Sequence, residues 1–76
     1  MRNIYLLKDL SRTTGLSTHT LKYYLRIGLL SEIGRSPETN FRYFDDSTVH
    51  RLKKIRELRI KGLTLKNINK RLNQDT

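Results

Sequence analysis

Thr13-Thr14-Gly15-Leu16-Ser17-Thr18-His19-Thr20-Leu21-Lys22-Tyr23-Tyr24-Leu25-Arg26-Ile27-Gly28 is the stretch on which the fold turns. Gly15 stands where a left-handed residue closes a helix. Two positions on, Ser17 can cap a second helix by accepting a bond from the backbone N–H of His19 or Thr20. The next ten or so residues, Thr18 to Ile27, then sort by side chain. Leu21, Tyr24 and Leu25 fall at i, i+3 and i+4 and make an inward stripe. Thr18, His19, Lys22, Tyr23 and Arg26 make the outward one. Two short helices joined by a glycine-containing turn form the helix-turn-helix pattern.

The reading extends in both directions. Upstream, Leu7 and Leu10 share a helix face, which predicts a first helix over 7–14 and a second over 18–27. Downstream, Gly28 ends the second helix, and Leu29-Leu30 and Ile33 lead into Gly34-Arg35-Ser36-Pro37-Glu38-Thr39-Asn40, a run of turn formers. Phe41-Arg42-Tyr43-Phe44 is rich in strand formers. A two-stranded wing over 30–44 with a loop of about seven residues follows, with Arg35 in the loop and Arg42 on the return strand. Phe41 and Tyr43 should point one way, Arg42 and Phe44 the other.

Asp45 or Asp46 is a natural N-cap for a helix over 46–61. Its buried face is marked by Val49, Leu52, Ile55 and Leu58, and its remaining surface is basic: Arg51, Lys53, Lys54, Arg56, Arg59 and Lys61. Gly62 closes it. Thr64 caps a last helix over 65–72 with Leu65, Ile68 and Leu72 inward, and residues 72–76 read as a frayed tail. The expected fold is mainly α with a small β-hairpin, one domain over 1–76.

The 76 residues carry 16 Lys+Arg against 7 Asp+Glu, a formal charge of +9. That surplus attracts polyanions, nucleic acid first and an anionic membrane surface second. Apolar runs are far shorter than the roughly 20 residues of a membrane span, so no membrane partner is expected. The sequence has no cysteine, which excludes a disulfide framework and a thiolate site. His19 and His50 are too separated to suggest a metal cluster, Asp45-Asp46 reads as a helix cap, and no glycine-rich phosphate loop is present. No catalysis, cofactor or metal is therefore expected.

His19, Lys22, Tyr23 and Arg26 place donors, charge and aromatic surface on about 15 Å of helix, a size and chemistry suited to a major groove. Lys22 and Arg26 can pair with phosphates, and Tyr23 can give its hydroxyl to a phosphate and its ring to a sugar. Thr18 and His19, at the helix N-terminus, can reach base edges or a phosphate. Arg35 and Arg42 make the hairpin a basic element able to straddle the phosphate backbone, although Arg42 in a surface salt bridge is the plainer alternative. The basic rim of the third helix reads mostly as a solvated face.

The ordered set Thr13-Thr14-Gly15-Leu16-Ser17, Thr20-Leu21-Lys22-Tyr23-Tyr24, Gly28-Leu29-Leu30, Asn40-Phe41-Arg42-Tyr43-Phe44 and Gly62-Leu63-Thr64-Leu65 resembles the DNA-binding domain of the MerR family of bacterial transcription regulators. The resemblance implies a winged helix-turn-helix and phosphate contacts from Lys22, Tyr23, Tyr24 and Arg42. It also suggests a backbone contact from Arg59. Ser17 and Thr20, at the start of the second helix, complete the candidate DNA-binding set. It implies sequence-specific binding of double-stranded DNA in the bacterial cytoplasm, at the nucleoid, with promoter DNA bent and untwisted for RNA polymerase. Lys22 stands where the family usually has arginine, which keeps charge and loses the bidentate fork. Leu25 stands where glutamate is usual. The family's long dimerisation helix and effector domain lie outside these residues, so a homodimer on DNA is expected only with a C-terminal helix that this chain does not include. Two expectations then compete: an excised regulator domain, or a short excisionase-like or architectural protein that bends phage or plasmid DNA. A basic RNA-binding module is the reading from another class.

Overall fold

Each helix is bounded by chemistry local to its ends. Residues 3–73, which the computed structural model describes, run β1 (Tyr5–Leu6), α1 (Leu7–Thr14), α2 (Thr18–Arg26), β2 (Gly34–Arg35), β3 (Arg42–Phe44), α3 (Asp46–Ile60) and α4 (Leu65–Asn73). The Asp9 carboxylate accepts the Leu6 N–H at 2.9 Å and starts α1. Ser17 Oγ accepts the Thr20 N–H at 3.1 Å and starts α2. Asp45 and Thr64 do the same for α3 and α4, accepting from Ser47 and Asn67.

The helices also end by rule. Gly28 (φ 79°) and Gly62 (φ 94°) adopt the left-handed backbone that costs other residues most. Each closes the same double-bonded cap. Leu29 N–H returns to the Tyr24 carbonyl and Gly28 N–H to Leu25, while Leu63 N–H returns to Leu58 and Gly62 N–H to Arg59.

The core draws on every helix and on the sheet. Leu10 of α1, Leu21 of α2, Leu29 of the following turn, Phe44 of β3, Leu52 and Ile55 of α3 and Ile68 of α4 are all fully buried. Each contributes about 1.5–3 kcal/mol by leaving water. The expected inward stripes of α2 and α3 are those the structure buries: Leu21 and Tyr24 in one, Val49, Leu52, Ile55 and Leu58 in the other.

The wing differs from the expectation in three ways. It is a three-stranded antiparallel sheet of order β1-β3-β2 rather than a two-stranded hairpin, because Tyr5 and Leu6 pair with Phe44 and Tyr43. Its loop is Pro37 to Asn40, shorter than expected: Ser36 N–H bonds to the Phe41 carbonyl, Asn40 N–H bonds to the Ser36 carbonyl, and Asn40 turns the chain at φ 61°. Arg35 therefore lies on β2, directly opposite Arg42, and not in the loop. Leu30, expected to begin the wing, belongs with Leu29 to the core. Leu72 is the inward end of α4 as expected, and Asn73, expected to be frayed, completes the helix; the rest of that tail, 74–76, lies outside the described residues.

Two contacts seat the sheet on the helices. The Tyr5 hydroxyl donates to Asp46 Oδ1 at 2.7 Å, tying β1 to the first turn of α3. That bond to a carboxylate holds the phenol above its ordinary pKa. On the other side of β3, Gly34 faces Tyr43 across the strands, and a Cβ on Gly34 would lie 2.7 Å from the ring carbon Cζ. A glycine is needed there because the ring occupies the space.

Leu21→Ala should cost about 2–5 kcal/mol in a urea titration, as a truncation at a fully buried site; a loss under about 0.5 kcal/mol would place Leu21 on the surface. Gly34→Val should cost about 1–3 kcal/mol by overpacking against Tyr43, and pairing it with Tyr43→Ala should recover part of that loss. A Gly34→Val chain with an unchanged thermal midpoint would contradict the ring placement.

Candidate nucleic-acid interface

The outward face of α2 is built as the sequence suggests. Thr18, His19, Lys22, Tyr23 and Arg26 are all exposed, Tyr23 with 43% of its surface. Ser17 and Thr20 are engaged with each other: Ser17 Oγ donates to Thr20 Oγ1 at 2.9 Å while accepting the Thr20 N–H. Their first duty is to start the helix.

Tyr24 sits differently from its neighbour. Only 7% of it is exposed, and its ring belongs to the core. The structure thus keeps the inward assignment of Tyr24 and leaves only a small edge of the side chain for the phosphate contact that the resemblance suggested. The small exposed edge opens on a groove bordered by Gly15, Leu16, Arg56 and Arg59. Arg59 is exposed beside the turn that links α1 and α2.

Between α2 and the wing lies a concavity of about 490 Å³. Thr18 and Lys22 line one side, Arg35, Asn40, Phe41 and Arg42 the other, and Leu6, Leu7 and Lys8 complete it. Four cations thus border one trench with an apolar lining. Residues of α2 and of the wing that are far apart in sequence are brought to the same place.

The wing cations do not stand free. Arg35 Nε donates to Glu32 Oε2 at 3.1 Å. Arg42 Nε lies 3.6 Å from Glu32 Oε1, within ion-pair range and too far for a hydrogen bond. That Nε is buried and has no hydrogen-bond partner among the described residues. The bond from Arg35, aided by the charges of both arginines, holds Glu32 below the usual carboxylate range.

Glu32, Lys8 and Arg56 are the site residues that sequence reasoning missed. Glu32 carried a usable signal: it is the lone acidic residue between Ile27 and Pro37, three positions before Arg35. Arg51 was placed on the basic rim, yet its Nε donates to the Leu29 carbonyl at 2.7 Å and its guanidinium reaches Asn73. Asn69 of α4 donates to the Ile27 carbonyl at 3.2 Å. Both side chains fix the end of α2 rather than face a ligand.

The sheet offers no stacking platform of the kind single-stranded RNA binders use. Phe44 is buried and Tyr43 packs on Gly34, which leaves Phe41 as the exposed aromatic of the wing. Among the described residues no group of three or more His, Cys, Asp or Glu is placed to hold a metal ion, and no helix is long and apolar enough to cross a membrane.

A helix-turn-helix whose second helix is flanked by a basic antiparallel wing defines the winged helix-turn-helix class. Residues 5–75 match the family described as MerR HTH family regulatory protein, and the chain belongs to that family. Over 64 residues it is 34% identical to heavy metal-dependent transcription regulator 2 of Rhizobium meliloti (strain 1021), covering 84% of this chain and 43% of that protein. It is 36% identical over 64 residues to the mercuric resistance operon regulatory protein of Bacillus cereus, covering 84% of this chain and 48% of that one. The chain thus spans less than half the length of these two relatives. Among solved structures, a MerR family transcriptional regulator from Bacillus cereus superposes with a TM-score of 0.88 at 19% identity, over 97% of this chain and 55% of that one; it shares the fold. HiNmlR, a MerR family regulator lacking the sensor domain and bound to promoter DNA, superposes with a TM-score of 0.78 at 29% identity, over 90% of this chain and 51% of that one.

The two adjacent tyrosines separate face from core. Tyr24→Ala should cost about 3–5 kcal/mol, as a buried aromatic truncation. Tyr23→Ala should stay within about 0.5 kcal/mol of the parent. The reverse order in a thermal or urea melt would mean that the faces of α2 are rotated.

Proposed function

We propose that this chain is the DNA-binding domain of a bacterial transcription regulator, with α2 in the major groove and the wing on the phosphate backbone. The observation that carries it is the convergence of Thr18 and Lys22 with Arg35 and Arg42 on one cation-bordered trench. A groove-sized helix beside a basic wing suits base edges next to a strand of phosphates. The HiNmlR structure, bound to promoter DNA, supports the reading by likeness.

The roles divide by position. Thr18 and His19 face base edges from the first turn of α2. Lys22, Tyr23 and Arg26 take phosphates and sugars along its length, Ser17 and Thr20 fix the start of the helix at the DNA surface, and Arg35 and Arg42 grip the backbone from the wing. Arg59, with Arg56 beside it, reaches the backbone next to the α1–α2 turn, and the small exposed edge of Tyr24 adds to that side. The domain reads half a site. A homodimer, formed through a C-terminal helix outside this chain, reads a pseudo-palindrome and distorts the promoter for RNA polymerase. The protein acts in the cytoplasm, on the nucleoid, without a cofactor and without catalysing a reaction.

Selection of bound duplexes from a random pool tests the reading directly, with enrichment of a defined half-site expected. Arg42→Ala should weaken binding to every duplex and reduce the salt slope by about one, while His19→Ala should alter which sequences are enriched. An Arg42→Ala chain with the affinity and salt slope of the parent would remove the wing from the interface.

A further inference from the structure

Two arginines placed directly opposite each other across a strand pair repel, and such a pair is destabilising unless an anion lies near. Arg35 and Arg42 are in that register. Glu32 supplies the anion with one oxygen for each guanidinium, at 3.1 Å and 3.6 Å. One carboxylate cannot neutralise two cations, and the second contact is too long to satisfy the Arg42 Nε donor. Both arginine side chains remain about two-fifths exposed, at 44% and 39%, so an external anion can reach them.

A phosphodiester presents to this pair the same chemistry as the carboxylate: anionic oxygens that accept from guanidinium groups. A DNA strand passing the trench meets Lys22 and Lys8, which have no ion pair among the described residues, and meets Arg35 and Arg42 already held by Glu32. We propose that Glu32 is the internal counter-charge of the wing, occupying Arg35 and Arg42 in the free protein and giving them up to a DNA phosphate. This inference rests on the reading of the wing as a DNA-contacting element. Glu32 is a positioning residue that limits how strongly the wing grips duplexes of any sequence. The carboxylate leaves the arginines ordered and lowers their attraction for phosphates that the recognition helix has not selected.

The test compares the full chain with Glu32→Gln, which keeps an acceptor of the same shape and removes the charge. Binding to a duplex of random sequence is followed by fluorescence anisotropy across a series of salt concentrations. Glu32→Gln should bind roughly three- to tenfold tighter at low salt, the scale of one like-charge contact near a surface, with a salt slope steeper by about one. In a background carrying Arg35→Ala and Arg42→Ala the gain should collapse. Equal or weaker binding by Glu32→Gln overturns the proposal, as does an undiminished gain in the background lacking both arginines.

A measurement on the unaltered chain stands independently of how the variants fold. The Arg35 Nε–H resonance should shift as duplex is added, when its acceptor changes from carboxylate to phosphate; a resonance unmoved at saturation overturns the proposal. A parent chain that binds no duplex overturns the DNA reading and this inference with it. A parent that binds normally, with Glu32→Gln no tighter, overturns this inference alone.

Discussion

The last turn of α2 is where the binding face is fixed to the rest of the molecule. Gly28 reverses the chain in a left-handed conformation, and the carbonyls at this turn need partners. Arg51 of α3 and Asn69 of α4 supply them, at the Leu29 and Ile27 oxygens. A buried or half-buried carbonyl left without its donor costs about 1–3 kcal/mol, so the turn holds α2 against both later helices. Leu21 and Tyr24 then set which side of α2 faces inward. The polar stripe from Thr18 to Arg26 points outward because the other side of the helix has no freedom to rotate.

Charge and shape have separate tasks on this surface. The net charge of +9 accounts for attraction to a polyanion over distances near the Debye length and carries no sequence information. Not all of that charge is available. Arg51 is spent on the fold, and Arg35 and Arg42 share one carboxylate. On α2, Lys22 and Arg26 have no such engagement among the described residues, and Lys22 alone of the two lines the trench. The placement of the wing relative to α2, set by the pairing of β1 with β3 and by the Tyr5–Asp46 bond, brings Lys22 to the same trench as the wing arginines.

What was legible in the sequence was local. The caps at Ser17, Asp45 and Thr64, the glycines that close the helices and the periodic stripes of α2 and α3 each depend on residues within a few positions of one another. The structure keeps all of them. What escaped was non-local. Tyr5-Leu6 is too short to show alternation and becomes a strand only because Phe44 and Tyr43 lie beside it. Arg35 read as a loop residue because turn formers surround it, yet the close of the loop from Ser36 to Phe41 draws it into β2. Arg51 carried the same sequence signal as Lys53 and Lys54, and its different task comes from the Leu29 carbonyl, 22 positions away. The pairing of Glu32 with the wing arginines could have been suspected from spacing to Arg35, but its reach to Arg42 needed the hairpin register.

The central claim is that one continuous surface, the outward stripe of α2 together with the wing, faces DNA. Titration of the isotope-labelled chain with a duplex, followed residue by residue in amide and arginine side-chain NMR spectra, tests it most directly. The account predicts that the largest shifts fall at Thr18, His19, Lys22, Tyr23, Arg26, Arg35 and Arg42, with Lys53, Lys54, Lys66 and Lys70 little changed. Shifts centred on those lysines of α3 and α4, with α2 and the wing unmoved, would contradict it.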